Sequence, residues 1–142
     1  MTAGIVAHPD HPLHAGRVRP ADLAGHPWID LDGPAAGGGR PSLAAVLDEL
    51  RARTGRHVRA VVRAGSAGLM LLAGGPWLGW LPLNLLDRLP GAPLKALPLT
   101  FGRRRYRTGF VARRSAEDLA AFRHLEAAVR DAALEPGGRT WG

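Results

Sequence analysis

A glycine and a serine, Gly65 and Ser66, open the longest uncharged run of the sequence and are the best candidates for binding chemistry. The surrounding segment, from Arg63 to Pro82, reads RAGSAGLMLLAGGPWLGWLP. Glycine permits unusual backbone angles and serine is a favoured N-cap, so we expect a short buried helix that Ser66 caps. Backbone N–H groups and a hydroxyl at a helix N-terminus can hold a carboxylate without a charged side chain. The alternative is that Ser66 is only a helix cap.

The residues after this predicted helix place it inside an α/β unit. Gly74, Gly75 and Pro76 end the helix, because glycine suits the position after a C-cap and proline cannot continue the ladder. The next apolar run, Trp77 to Leu81, is short and lies between two prolines, so we expect a buried strand. In such units the helix N-terminus faces the crevice at the carboxyl ends of the strands, where ligands tend to bind.

Four side chains near the N-terminus are of the types that bind zinc or nickel, namely His8, Asp10, His11 and His14. Pro9 and Pro12 prevent a helix there, so no regular element would hold the four groups on one face. We therefore interpret the segment as a loop and expect neither a metal site nor a cofactor. His26, further along, is expected to be an exposed loop histidine.

No arrangement typical of an enzyme can be found. Three consecutive glycines precede Arg40, but no Gly-Lys-Ser/Thr follows, so a phosphate-binding P-loop is a poor interpretation. Asp48 and Glu49 are adjacent and would point in different directions on a helix, which makes them part of a solvated face. The chain has no cysteine, which excludes a thiolate nucleophile. We expect a protein that is not an enzyme.

The charge balance permits a polyanionic partner. The chain has 19 Lys and Arg residues against 12 Asp and Glu residues, a net charge of +7. Arg103, Arg104, Arg105 and Arg107 surround Tyr106, a pattern that could bind nucleic acid through phosphate contacts and stacking. A solvated loop in an arginine-rich composition explains the same residues, and we favour that interpretation.

The remaining pattern predicts one compact α/β domain in a chain of 142 residues. Ser42 is expected to cap a helix that buries Leu43, Val46, Leu47 and Leu50 and ends at Gly55. The other predicted strands are at 4–7, 28–31, 57–64, 94–99 and 108–112, with a helical turn at 20–23 and a loop at 33–39. A short helix is predicted at 83–89, with Leu83, Leu86 and Leu89 on its inner face. A final helix is predicted from Ser115 to Pro136, and its apolar side is formed by Leu119, Phe122, Leu125 and Val129. Neither a signal peptide nor a membrane span is expected, and we predict a cytoplasmic protein.

Several motifs resemble the effector-binding domain of LysR-type transcriptional regulators. The family pattern Val-x-x-x-Asp-Leu-Ala-Gly-x-Pro-Trp-Ile is matched by Val18, Asp22, Leu23, Ala24, Gly25, Pro27, Trp28 and Ile29. A second family pattern, Val-x-Ala-Gly-Leu-Gly-Ile-Ala-x-Leu-Pro, is matched by Leu72, Ala73, Gly75, Leu78, Leu81 and Pro82. Trp77 takes the place of its second glycine. His11, Pro12 and Leu13 match the His-Pro-Leu that enters the second lobe, and 94–99 resembles Leu-x-x-Leu-Pro-Leu.

The resemblance implies a periplasmic-binding-protein-like (type II) lobe, with a mixed central sheet flanked by helices and a returning strand and helix. Residues 1–107 would form the second lobe, 108–136 the strand and helix that return to an absent first lobe, and 137–142 a flexible tail. The helix-turn-helix of the family would be missing, so no direct DNA binding is expected. A small organic, anionic effector would bind at Ser66, with Gly65, Ala67 and Leu69 lining the same turn.

The resemblance also implies a partner, because the apolar face of the returning helix would have no lobe to cover it. A homodimer, or a second chain that supplies the missing lobe, would meet this need, and no membrane contact is expected. Two alternatives remain open at this stage. One is a stand-alone solute-binding module, and the other is a nucleic-acid binder that uses a basic patch.

Overall fold

The computed structural model describes residues 2–31, 42–89, 91, 93–106 and 120–134. The chain divides into two compact units, Thr2–Tyr106 and Arg107–Gly142. The predicted loop at 33–39, the predicted strand at 108–112, the start of the last helix at Ser115 and the predicted tail lie outside the described residues.

The first unit alternates short strands and helices, as predicted for an α/β chain. Its strands are β1 (Thr2–Ala7), β2 (Pro27–Asp30), β3 (Ala60–Arg63), β4 (Leu78–Pro82), β5 (Lys95–Ala96) and β6 (Arg104–Arg105). Its α-helices are α1 (Pro20–Leu23), α2 (Leu43–Thr54) and α3 (Gly68–Gly74), and 3-10 helices span Pro12–His14, Gly65–Ala67 and Leu83–Arg88.

The strands form one mixed sheet in the order β3-β2-β4-β1-β5, with β6 also paired to β1. The three strands β2, β3 and β4 run parallel. Strand β1 is antiparallel to β4, with Gly4 opposite Leu81 and Val6 opposite Gly79. Strands β5 and β6 pair with opposite ends of β1, at Val6–Ala7 and at Thr2–Ala3. The predicted mixed sheet of a type II lobe is therefore confirmed.

Two hydrophobic cores cover the two faces of this sheet. Neighbouring residues along β1, β2 and β4 alternate between the cores, because successive side chains of a strand point to opposite faces. Ile5, Trp28 and Trp80 belong to the first core with the inner face of α2. Their neighbours Val6, Ile29 and Leu81 belong to the second core, which also holds Leu72 of α3. The central strands are buried on both faces for this reason.

Helix α2 begins and ends where the sequence predicts. The Ser42 hydroxyl accepts a hydrogen bond from the Ala45 N–H at 3.3 Å, as an N-cap serine does. Gly55 follows the last turn with φ of 68° and donates its N–H to the Arg51 carbonyl at 2.8 Å. Of the predicted inner face, Leu43, Val46 and Leu50 are buried, and Leu47 is partly buried against the first core.

Both tryptophans of the first core donate their indole N–H to a backbone carbonyl. Trp28 reaches the Leu23 carbonyl at 3.3 Å and ties α1 to β2. Trp80 reaches the Gly102 carbonyl at 2.7 Å and holds the turn before β6 against the sheet. Gly102 has φ of 73°, a left-handed conformation that glycine adopts without steric cost. Each indole N–H is thus satisfied inside the core.

Several sequence predictions are wrong in part. The strand predicted at 57–64 is only the four residues of β3, and all four are exposed rather than apolar on one face, because β3 is an edge strand. The helix predicted to be buried exposes Met70 (80%) and Leu71 (45%), and only Gly68 and Leu72 are buried. The strand predicted at 94–99 is reduced to β5, although the Leu97 N–H still bonds to the Ile5 carbonyl at 2.9 Å.

In the second unit the structure describes one helix, α4 (Ala120–Leu134). Phe122 is partly buried, whereas Leu125 and Val129 are 52% and 37% exposed. Arg130 and Glu126, one turn apart, form an ion pair at 2.6 Å. None of the helices in the described ranges is long and apolar enough to cross a bilayer.

A test of the second core is the variant Gly79→Ala. A Cβ at this position would lie 2.7 Å from Cδ2 of Leu72, and Leu72 is 0% exposed, so its side chain cannot move into solvent. We expect the free energy of unfolding to fall by about 1–3 kcal/mol, as for other overpacked cores. Chemical denaturation followed by circular dichroism measures it.

The matched control is Gly16→Ala, since no atom lies within 4 Å of a Cβ at this position and Gly16 is not among the positive-φ glycines. We expect its effect to stay within about 0.5 kcal/mol. Equal stabilities for the two variants would contradict the close contact between α3 and β4.

Candidate functional site

The candidate site lies at one edge of the sheet, where the parallel strands β2, β3 and β4 end. Asp30 at the end of β2 is opposite Arg63 at the end of β3. Strand β1 runs the other way, so its first residues lie at this same edge, with Ala3 opposite Pro82. Open α/β sheets bind ligands outside the carboxyl ends of their strands, which makes this edge the natural place for a site.

The turn from Gly65 to Ala67 follows β3 at this edge. Gly65 has φ of 51°, so the chain turns sharply in a conformation that disfavours residues with a Cβ. The Ala64 N–H donates to the Asp30 carbonyl at 3.2 Å, and the Gly68 N–H donates to the Ala64 carbonyl at 3.2 Å. The turn is therefore hydrogen-bonded to the end of β2 on one side and continues into α3 on the other.

The prediction that Ser66 is the N-cap of the helix is wrong. Helical conformation already begins at Gly65 as a 3-10 turn, and the N-cap of α3 is Ala67, which makes no side-chain cap hydrogen bond. Gly65, whose backbone is left-handed, is the first residue of this 3-10 turn, so Ser66 lies within the turn and not before it. Nothing in the sequence distinguishes a 3-10 entry from a capped α-helix, because both begin with the same residue types.

A close approach between α3 and β2 fixes the position of this turn. A Cβ on Gly68 would lie 2.4 Å from Cδ2 of Leu31 and 2.8 Å from Cγ2 of Ile29. Only glycine lets the first turn of α3 lie this close to the end of β2. The peptide groups of Gly65–Ala67 are thereby held against the sheet edge.

The four predicted site residues stand at different depths. Gly65 and Ala67 are exposed, and Leu69 is partly buried against the second core. The structure describes the backbone of Ser66 but not the placement of its side chain. Gly65 and Ala67 are therefore accessible to solvent, and the exposed apolar side chains Met70 and Leu71 follow in α3.

Sequence reasoning did not single out the polar side chains at this edge. Arg63 Nε lies 3.5 Å from Asp30 Oδ2, and the Asp30 side chain is only 16% exposed. Asn84, in the 3-10 helix after β4, has a buried side-chain oxygen without a hydrogen-bond partner among the described residues. The only signal in the sequence is their position near the carboxyl ends of predicted strands, and it becomes informative once the strand order is known.

The histidines of the first loop lie at the opposite edge, after the end of β1. Pro12 occupies the first position of a 3-10 helix that His11 caps, with His11 Nδ1 accepting from the Leu13 N–H at 3.2 Å, so the expectation of an irregular loop is wrong. A cavity of about 380 Å³ is lined by His8, Asp10, His11 and Pro12 together with residues 73–76. Within the described part of the chain, no group of three or more His, Cys, Asp or Glu residues is placed to hold a metal ion.

His26 is not the exposed loop residue that the sequence suggests. It is partly buried, and its ring lies 4.7 Å from that of His11, which is 4% exposed. Burial lowers the pKa of His11, and the neighbouring His26 lowers it further. Burial likewise lowers the pKa of His14 and of His26. All three imidazoles are therefore held in the neutral form near neutral pH.

The architecture defines the class of protein. A mixed sheet in which β2, β3 and β4 are parallel and β1 is antiparallel to β4, with helices on both faces, is a lobe of the periplasmic-binding-protein-like type II fold. A family model described as the LysR substrate binding domain matches residues 2–134. The chain belongs to this family. The resemblance noted in the sequence is thereby confirmed. No curated protein matches the sequence.

The chain is also similar in fold to solved structures. A protein described as a transcriptional regulator from Vibrio parahaemolyticus is 19% identical, with a TM-score of 0.56 over 91% of this chain and 59% of that one. The CcmR regulatory domain of Synechocystis PCC6803, solved in complex with 2-PG, is 22% identical, with a TM-score of 0.55 over 90% of this chain and 62% of that one. The chain thus spans about six-tenths of the length of these two structures.

The buried histidines generate a prediction about pH. A histidine whose pKa is lowered by folding binds protons more weakly in the folded state than in the unfolded chain, so acid favours unfolding. We expect the free energy of unfolding to be constant above the unfolded pKa of about 6.5 and to fall as the pH decreases below it. Denaturation at a series of pH values between about 7.5 and 5 measures the slope in this window.

The double variant His11→Gln with His26→Gln provides the comparison, because glutamine does not titrate. We expect a shallower loss of stability between about pH 6.5 and 5 than in the wild-type protein. An unchanged slope would mean that protonation of these two rings is not coupled to unfolding.

Proposed function

We propose that the chain is the effector-binding portion of a LysR-type transcriptional regulator and that it binds a small organic anion at the Gly65–Ala67 turn. The observation that carries the proposal is the position of this turn at the carboxyl edge of the parallel strands, held there by the close approach of Gly68 to β2. In this proposal Ser66 is the principal contact, and Gly65, Ala67 and Leu69 line the same turn.

The chemistry of the edge supports an anion. Backbone N–H groups at the start of a helical segment are not all used within the helix, and they carry partial positive charge. The one carboxylate described close to the turn, that of Asp30, is paired with Arg63 and so does not leave an unbalanced negative charge there. Met70 and Leu71, exposed on α3, supply apolar surface for the body of an organic acid.

The comparisons support ligand binding at the level of the family. The family is described as a substrate-binding one, and the CcmR regulatory domain was solved with 2-PG bound. The proposed role is recognition without catalysis, in the cytoplasm, and with no direct contact between this chain and DNA. DNA binding would belong to another part of the regulator.

We also propose that the chain works with a partner, either a second copy or a chain that supplies a complementary lobe. Leu125 and Val129 are four residues apart, one turn of α4, and both are exposed. A helix face of this kind is stabilised when another surface covers it. The exposed edge strand β3, with Val61 and Val62 at its centre, offers a second such surface.

The effector proposal is tested with two glycine variants that carry the same backbone strain. Gly65 and Gly55 have φ of 51° and 68°, and no atom lies within 4 Å of a Cβ at either position. Alanine at either position should cost about 1–2 kcal/mol of stability, since left-handed backbone disfavours a side chain. Only Gly65→Ala, however, reorients the N–H groups of the proposed site.

We expect Gly65→Ala to weaken the binding of a small organic anion about ten-fold or more, which corresponds to losing one hydrogen bond to a charged group. Gly55→Ala should bind with wild-type affinity. The ligands tested are benzoate, succinate and 2-PG, each by calorimetry and by ligand-dependent thermal stabilisation. Equal weakening in both variants, or no binding of any of the three anions, would refute the proposed site.

The partner proposal is tested on α4. We expect the wild-type chain to form a discrete dimer in analytical ultracentrifugation. The double variant Leu125→Arg and Val129→Arg should raise the dissociation constant of this dimer by about 100-fold or more, because arginine cannot be buried in the interface without a partner charge. Ala127→Arg is the control, since position 127 lies on the opposite side of the helix from positions 125 and 129. Equal effects of the two changes would contradict an interface on the apolar face, and a monomer at all concentrations would favour a separate partner chain.

A further inference from the structure

A basic groove lies on the α2 side of the sheet, away from the Gly65–Ala67 turn. It has a volume of about 490 Å³ and is lined by residues from three parts of the chain, namely 17, 18 and 20, then 49 and 53 of α2, and then 98–101, 103 and 104. Its charged members are four arginines and one glutamate, namely Arg17, Arg53, Arg103, Arg104 and Glu49. The groove therefore carries four positive charges against one negative charge.

Glu49 holds two of the arginines in place. One carboxylate oxygen of Glu49 pairs with Arg53 at 2.7 Å, and the other pairs with Arg104. This carboxylate is only 25% exposed, so it lies at the base of the groove rather than on the solvated face that the sequence suggests. Likewise Arg104 is not part of a solvated loop, because it belongs to β6 and its side chain is 38% exposed.

Two further contacts restrict these guanidinium groups. The Arg53 guanidinium lies over the Phe101 ring, 5.4 Å from its centroid, and Phe101 is 8% exposed in the first core. Arg104 also donates from Nη1 to the Arg103 carbonyl at 3.1 Å. Guanidinium groups fixed in this way lose little side-chain entropy when they bind a ligand.

The remaining two arginines are not neutralised within the described part of the chain. Arg17 and Arg103 are exposed, and neither forms an ion pair with a carboxylate of the described residues. Both line the same groove as Arg53 and Arg104, whose guanidinium groups are paired with Glu49. Repulsion among these groups is relieved when an anion enters between them.

We propose that this groove is a second binding site and that it takes a compact oxyanion with two or more negative charges, such as a phosphate-bearing or polycarboxylate metabolite. Arginine forks bind phosphate and carboxylate oxygens in bidentate geometry, which a single charge on a flexible lysine does not reproduce. The groove is small and has a glutamate at its base, which fits a compact ion better than the repeated phosphates of a nucleic-acid strand. An anion in this place would link α2 to the segment before β6.

This site is independent of the proposed effector site. Phe101 and the inner face of α2 belong to the first core, whereas Leu72 of α3 belongs to the second core on the other face of the sheet. None of the residues that line the groove comes from the segment between β3 and α3. The two sites can therefore be occupied, and tested, separately.

The test uses the full chain and inorganic pyrophosphate, with citrate as the polycarboxylate. Both are added at constant ionic strength, because screening alone changes weak electrostatic binding. In a heteronuclear NMR titration we expect saturable shifts of the backbone amides at 17–20, 49–53 and 98–104 with at least one of the two ions. Scattered shifts without saturation, or saturable shifts only at residues 64–69, would overturn the proposal.

Variants distinguish binding in the groove from nonspecific attraction of anions by the positive charge of the whole protein. We expect Arg103→Ala and Arg17→Ala each to weaken the binding about ten-fold, and Arg103→Lys to recover only part of the loss, since lysine keeps the charge but not the fork. The control is Arg51→Ala, which removes the same charge from an exposed position of α2 that does not line the groove. Equal weakening in Arg51→Ala and Arg103→Ala would overturn the proposal.

Two further measurements keep this result apart from other kinds of binding. Gly65→Ala should bind pyrophosphate with wild-type affinity. Loss of binding at the proposed effector site therefore leaves binding in the groove unaffected, and loss of binding in the groove leaves the effector site unaffected. A short DNA duplex is titrated under the same conditions. Shifts of the groove amides with the duplex but with neither small ion would overturn the proposal in favour of nucleic-acid binding.

Discussion

The burial of β1, β2 and β4 on both faces is the constraint on which the rest of this structure depends. Pairs such as Trp28 and Ile29, or Trp80 and Leu81, send one side chain into each core. A register shift of one residue would exchange the two faces and place tryptophans where α3 packs. The alternation therefore fixes the register of the sheet, and with it the edge at which the parallel strands end.

The second constraint on the structure is the close approach between helix α3 and the sheet. Gly68 and Gly79 leave room for Leu31, Ile29 and Leu72 at distances that a Cβ would not allow. The turn at Gly65–Ala67 is consequently held near the ends of β2 and β3. In the proposed effector site, this support would keep the N–H groups of the turn in the same direction when the ligand is absent.

Electrostatics differ between the two faces. On the α2 side, Glu49 organises Arg53 and Arg104 but cannot balance all the arginines that line the groove. At the carboxyl edge, Asp30 and Arg63 form an ion pair next to the Gly65–Ala67 turn. In the two proposals, an anion would be attracted by fixed side-chain charge on one face and by the peptide N–H groups of the turn at the sheet edge.

Elements whose causes are local can be predicted from the sequence. Ser42 and Gly55 bound α2 because a cap and a left-handed glycine act within one helical turn. The buried strand β4 follows from an apolar run between prolines, and the family follows from its motifs. Features that depend on contacts between distant residues become visible only in the folded chain. Strand β3 is exposed because of its place at the sheet edge, and Gly65 begins the helix early, so that Ser66 is not its cap. Glu49 lies in the groove because Arg104, 55 residues later, is brought to it by the pairing of β6 with β1. Spacing along the chain encodes hydrogen bonds and periodicity within an element, whereas the neighbours of a side chain across a sheet are set by strand order, which no local pattern specifies.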